Sequence, residues 1–173
     1  MKLIHCADIH LDSPMQTHMT AQQASVRNTE MLQSFVRLTE FAQERAVRAV
    51  LIAGDLFDGA RVRARTVDAL LAAIRRTPEV DYLYLPGNHD EAANAFCDCA
   101  LPGNLKLFGK TWSTVQYDGI AISGVQIGAD AALYETLPHT DGAVNLVMLH
   151  GGIGTACGED MINLNLLKNR GID

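Results

Sequence analysis

Arg48-Ala49-Val50-Leu51-Ile52-Ala53-Gly54-Asp55-Leu56-Phe57-Asp58 is an apolar run that breaks abruptly at a glycine and an acid. Its aliphatic core predicts a buried strand over Arg48 to Ala53, and Gly54 permits a tight exit that sets Asp55 just beyond the strand's C-terminal end. Three other apolar runs end the same way. Leu3 to Cys6 leads into Asp8-Ile9-His10. Val80 to Leu85 is stopped by Pro86-Gly87 ahead of Asn88-His89-Asp90-Glu91, and Val144 to Leu149 ends on His150-Gly151-Gly152. Polar residues delivered beyond the C-terminal ends of strands are how open α/β sheets build ligand sites.

The segments between these runs fill in the architecture. The polar stretch Asp12 to Ser25 reads as a loop. A helix is predicted from Val26 to Glu44, with Leu32, Phe35, Val36 and Phe41 available for its core face. A second helix, rich in Ala and Arg, is predicted from Val62 to Arg76 and is closed by Pro78. The first half is therefore strand, helix, strand, helix, strand. The second half offers short strands at Leu105–Leu107, Thr111–Tyr117 and Gly119–Val125, with Asp118-Gly119 as a hairpin turn. A short helix near Ala129 to Leu137 precedes the Val144 strand, and Met161 to Lys168 reads as a last helix. No repeat or low-complexity linker divides the chain. The expected fold is α/β, two packed mixed β-sheets flanked by helices, with residues 1–173 all belonging to a single domain.

Composition bounds the function. A chain of 173 residues with 48% hydrophobic content can bury a substantial core. Twenty acidic against fourteen basic side chains give a net charge of −6, a poor match to a free-standing nucleic-acid binder. The balance weighs less against a nuclease, whose metal ligands must themselves be acidic. Cys6, Cys97, Cys99 and Cys157 lack zinc-knuckle spacing and read as reduced thiols of a cytoplasmic protein. The opening Met1 to Asp12 reaches charged residues at once, so neither a signal peptide nor a membrane span is expected.

Carboxylate, imidazole and amide groups gathered from distant parts of a chain are the ligand set of a site for two divalent metals. Asp8 and His10, two positions apart in an extended segment, can turn toward one cation. Asp55 can place its oxygens between two cations. Asn88 can offer its carbonyl oxygen, His89 can face a substrate, and Asp90 can orient the His89 imidazole. His150 follows the same strand-end rule. Asp58 reads equally as a loop acid. His5, His18 and His139 lack strand-end placement and are assigned to core or surface, and Cys6 to packing within the first strand. The GxGxxG pattern, a lysine-bearing phosphate loop and HExxH are absent from the sequence.

In motif order, DxH, GDxxD, GNHD and a strand-ending His, the chain resembles the calcineurin-like metallophosphoesterases. Its LIHCADIHLDSPM and LIAGDLFD segments are most similar to the nuclease subunit of SbcCD-type DNA repair exonucleases. The resemblance implies a four-layer metallophosphoesterase sandwich. It implies one cation held by Asp8, His10 and Asp55, and another held by Asp55, Asn88 and His150. His89 would protonate or stabilise the leaving oxygen. Manganese is the leading cofactor expectation, with iron, magnesium and zinc open.

The activity implied is metal-dependent phosphodiester hydrolysis, as a DNA exonuclease or endonuclease. The implied partners are DNA, an SMC-like ATPase and a second copy of the chain. Such enzymes complete both coordination shells with a later Gly-His-x-His motif, and no residue up to Asp173 matches it. The expectation is that these residues form the N-terminal portion of one catalytic domain, with reduced metal occupancy and weak activity. A phosphodiesterase for small nucleotides or other phosphate esters, and a non-catalytic repair-partner scaffold, stay open as alternatives.

Overall fold

The apolar runs become strands whose two faces serve two different cores. A computed structural model of the chain describes residues 1–15, 19–58, 62–87, 90, 96, 99–127, 132–154, 161–168 and 170–172. Strands β1 (Leu3–Cys6), β2 (Ala49–Ala53), β3 (Asp81–Leu85) and β4 (Leu105–Leu107) form a parallel sheet in that spatial order. Every residue of β2 and β3 is buried, as expected of a parallel strand covered on both faces.

Side chains alternate across a strand, so parity sorts them. Val50, Ile52, Tyr82 and Tyr84 pack with helices α1 (Ala21–Glu44) and α2 (Ala64–Arg75), through Phe35, Ala42, Leu70 and Ile74. Ala49, Leu51, Ala53, Leu83 and Leu85 face the other way, onto Ile122, Met148 and Phe108. Ile122 and Met148 belong to a second sheet, ordered β5 (Ser113–Tyr117), β6 (Ile120–Gly124) and β7 (Val144–Met148). Its β5–β6 pair is antiparallel and its β6–β7 pair parallel. The chain is thus an α/β fold of packed sheets flanked by helices, an arrangement consistent with the expected four-layer sandwich. Among the described residues no helix is long and apolar enough to cross a membrane.

Several elements depart from their predicted extents. Helix α1 begins at Ala21, not Val26, because Thr20 and Gln23 form a capping box: the Gln23 amide donates to Thr20 Oγ1 at 3.3 Å and the Thr20 amide to Gln23 Oε1 at 2.8 Å. Phe41 is 47% exposed and lies under the Arg45 guanidinium. Six residues after Phe35 it sits roughly 120° around the helix, off the face that Phe35 and Ala42 share.

Met161–Ile162 is a strand, β9, parallel to β8 (Gly152–Ile153), and the last helix, α4, is only Leu164–Lys168. Asn163 explains the change: its Oδ1 accepts from the Asn165 amide at 3.1 Å, capping the helix just after the strand. The helix expected near Ala129 is described over Ala132–Glu135, α3. The hairpin at Asp118-Gly119 has its predicted form, with Tyr117 opposite Ile120 and Gly119 at φ 70°.

Candidate metal centre

Where the β1–β2 pairing ends, at Cys6 opposite Ile52, the two exit loops continue side by side. The Asp8 amide donates to Gly54 O at 3.1 Å, His10 to Asp55 O at 2.9 Å and Leu11 to Leu56 O at 2.9 Å, and the Asp58 amide returns to Leu11 O at 3.1 Å. The loops hold unusual backbone. Asp8, His10 and Asp55 have φ of 53°, 49° and 49°, and Gly54 has 87°. Each non-glycine residue in this left-handed region costs about 1–2 kcal/mol. Such conformations persist where the surroundings fix them and gather at functional sites. Here Leu11, Leu56 and Phe57, interleaved with the polar residues, are each at most 1% exposed and anchor both loops in the core.

The polar residues converge. Ligand atoms of Asp8, Asp55 and His150 lie within 4.8 Å of one another. His150 Nε2 is 3.4 Å, and His10 Nε2 3.9 Å, from Asp55 Oδ2. His150 Nδ1 is 3.0 Å from Ala53 O, and a carbonyl only accepts, so Nδ1 carries the hydrogen of this contact. In the neutral imidazole Nε2 is then the lone-pair nitrogen, facing the carboxylates as a ligand should.

Two glycines make room for this packing. A Cβ at Gly54 would lie 2.1 Å from His150 Nδ1, and one at Gly87 would lie 2.2 Å from Asp55 Oδ1. Asp55 is buried while Asp8 is exposed, so two carboxylates and an imidazole meet at the surface end of a buried acid. Like charges brought this close favour a bound cation, and the mixed O and N donor set fits a divalent one.

Among the described residues this is a single cluster. The resemblance places Asp55 in both cation sites, with Asp8 and His10 in one and His150 in the other; the fold gathers Asp8, His10 and His150 around Asp55. Asn88 and His89 lie outside the described residues, as do His18, Glu91, Cys97 and Cys157. The Asp90 carboxylate accepts from three backbone amides: Oδ1 from Phe57 at 2.7 Å, and Oδ2 from Leu56 at 3.1 Å and Gly87 at 3.0 Å. This carboxylate pins the Asp55 loop to the Pro86-Gly87 turn.

Cys6 is packed as expected, its Sγ 3.6 Å from Leu51 O, and burial pushes the thiol up to about 11. His139 sits at the surface beside Asp141 at 3.4 Å. His5 is also exposed, yet it lines a cavity of about 410 Å³ with Asp8, His150, Gly151 and Gly152. Strand parity was the overlooked signal: His5 shares the face of Leu3 and Ala7, which looks toward the sheet that ends in His150. Asp12 was missed as well; it is bonded to α2 through Arg63 and Thr66.

A family model for calcineurin-like phosphoesterases matches residues 1–172. The DNA double-strand break repair protein Mre11 of Methanopyrus kandleri is 30% identical over 95 residues, which are 52% of this chain and 19% of that protein. The chain thus spans about a fifth of that relative's length. The crystal structure of the Pseudomonas putida nuclease MPE aligns at 17% identity with a TM-score of 0.36, over 84% of this chain and 59% of that one. That of Aquifex aeolicus AQ665, a protein of unknown function, aligns at 10% identity and 0.40, over 98% and 92%.

Proposed function

The chain belongs to the calcineurin-like phosphoesterase family, and from that premise we propose that it is a metal-dependent phosphodiester hydrolase that cleaves DNA. The observation that carries the reading is the convergence of Asp8, Asp55 and His150 at the ends of β1, β2 and β7. The choice of DNA is supported by the 30% identity to an Mre11 repair protein and by the DIHLD and GDLFD segments.

In this proposal Asp8, His10, Asp55, Asn88 and His150 hold two divalent cations, manganese first, with iron, magnesium and zinc as alternatives. Bound there, the cations would neutralise charge growing on the phosphate and lower the pKa of water toward neutrality. The protein's part is positional. Ala53 O, by accepting from His150 Nδ1, sets the tautomer that presents Nε2. Asp90 fixes the Leu56 and Phe57 amides against Gly87, the residue that precedes Asn88-His89 in the sequence. His89 donates a proton to the leaving oxygen. An SMC-like ATPase and a second copy of the chain complete the proposed cytoplasmic repair assembly.

The net charge of −6 favours a second reading, hydrolysis of small phosphate diesters that need no extended basic surface. Metal content and cleavage of single-stranded DNA, double-stranded DNA and bis-p-nitrophenyl phosphate, measured with added manganese, separate the two. Manganese uptake below two ions per chain, and weak DNA cleavage that is lost in His89→Ala, is the expected result. Turnover of the small diester alone selects the second reading, and a chain that takes up no metal returns the assignment to a non-catalytic scaffold.

A further inference from the structure

The DxH segment carries a second acid, Asp12, which neither the motif nor the proposed ligand set uses. Its side chain is 3% exposed, and both oxygens are occupied by protein groups. Oδ2 accepts from the Arg63 amide at 2.8 Å. Oδ1 accepts from Arg63 Nε at 2.7 Å, from Arg63 Nη2 and from Thr66 Oγ1 at 3.0 Å. A carboxylate saturated in this way is not a metal ligand. Burial pulls its pKa up, but the bonds from Arg63 and Thr66 outweigh that and hold it below the ordinary aspartate value.

These contacts lie at the N-terminus of α2. Arg63 is the residue before its first turn and makes no side-chain cap of its own, so Asp12 supplies the missing acceptor from outside the helix. Helix α2 is a rigid support: Val67, Leu70, Leu71 and Ile74 are at most 3% exposed in the core. The segment it holds needs support. Asp12 is at φ 63°, following Asp8 at 53° and His10 at 49°, three left-handed residues in five positions. On one side the segment is bonded to the Gly54–Leu56 backbone. On the other, Asn28 of α1 donates to Ser13 O at 3.0 Å and Asp12 binds α2.

We infer that Asp12 is a positioning residue for the metal centre: by binding Arg63 and Thr66 it locks the backbone that aims Asp8 and His10 at Asp55. The inference rests on the cation-site reading of Asp8, Asp55 and His150. Groups that orient metal ligands typically change metal affinity by about 10–100-fold when removed. Asp12→Ala therefore weakens manganese binding by that factor in protein that remains folded, and Asp12→Asn, which keeps one acceptor oxygen, by about 10-fold. Because Asp12 acts through Arg63, Arg63→Ala shows a comparable loss, and the double variant binds no more weakly than the worse single one.

The experiment is calorimetric titration of the whole chain with manganese, with circular dichroism melts and manganese EPR spectra on the same samples. A weakened affinity and an altered EPR line shape in Asp12→Ala, non-additive with Arg63→Ala, is the expected result. Equal manganese affinity in wild type and folded Asp12→Ala, with only the melting temperature lowered, overturns the inference while leaving the cation site intact. No manganese binding by the wild type overturns the cation site, and the inference with it. Should Asp12→Ala fail to fold, Arg63→Ala and Thr66→Val decide: unchanged affinity in both overturns the inference.

Discussion

Asp90 is the residue whose replacement tests most of the site at once. Its carboxylate is the acceptor for three backbone amides, those of Leu56, Phe57 and Gly87, and the Leu56 and Phe57 residues are each 1% exposed. A hydrogen bond to a charged group contributes about 1.5–3 kcal/mol. At the lower figure, Asp90→Ala loses about 4–5 kcal/mol, reduced by whatever water enters the vacated space. Asp90→Asn is the sharper probe. Its oxygen can stay at the Oδ2 position and keep the Leu56 and Gly87 bonds, but its NH2 group then meets the Phe57 amide, donor against donor. That single mismatch costs about 1.5–3 kcal/mol. Because the bonded loop carries Asp55, manganese affinity falls with stability, by about 10-fold or more. Urea denaturation measures the first quantity and calorimetric titration the second. An Asp90→Asn protein within about 0.5 kcal/mol of wild type would refute the claim that this carboxylate pins the Asp55 loop to the Pro86-Gly87 turn.

Three further outcomes follow from the same geometry. Gly54→Ala puts a Cβ 2.1 Å from His150 Nδ1 at a backbone φ of 87°, so His150 shifts off Ala53 O and manganese affinity drops by about 10-fold or more in titration. Asp81→Asn weakens the tie between the sheets, where Asp81 Oδ2 meets Tyr117 Oη at 2.8 Å, Arg48 at 3.2 Å and Lys106 at 3.4 Å; with both cations about half exposed, the loss in a urea melt is about 1–3 kcal/mol. Burial, then the Asp81 hydrogen bond and charge, raise the Tyr117 pKa above its ordinary 10. Above that pH the unfolded chain has released a proton that the folded one keeps, so stability falls as pH rises, less steeply in Tyr117→Phe than in wild type when melts are run across the alkaline range.

What the sequence discloses and what it conceals divide along physical lines. Strands β2 and β3 were legible because burial on both faces leaves them unbroken apolar runs, and their exits were legible because Gly54 and Pro86-Gly87 have few other uses. The start of α1 was hidden because its capping box, Thr20 to Gln23, precedes polar residues rather than an apolar stripe. The Met161 segment misled because two residues of strand and five of helix, divided by Asn163, spell one short helix in hydropathy alone.

The site divides the same way. Asp8, Asp55 and His150 could be named from their positions after strands, but their grouping around Asp55 depends on the β1–β2 pairing and on the packing of the two sheets, both between segments far apart in sequence. Ala53 and His150, whose contact sets the imidazole tautomer, are 97 residues apart. The supports were harder still: Asp12 looks like any loop acid until its oxygens are traced to Arg63 and Thr66, and Asp90, read as a partner of His89, accepts from the Leu56, Phe57 and Gly87 amides.

These supports explain why the ligands alternate with apolar residues. Ile9 and Leu11 flank His10, and Leu56 and Phe57 follow Asp55, so these two residues are held left-handed beside side chains that the core has already fixed. Core burial sets one side of each loop, and Asp12, Asn28 and Asp90 set the other. A ligand backbone fixed from both sides has little freedom left to lose when a cation arrives, which is the physical meaning of a preorganised metal site.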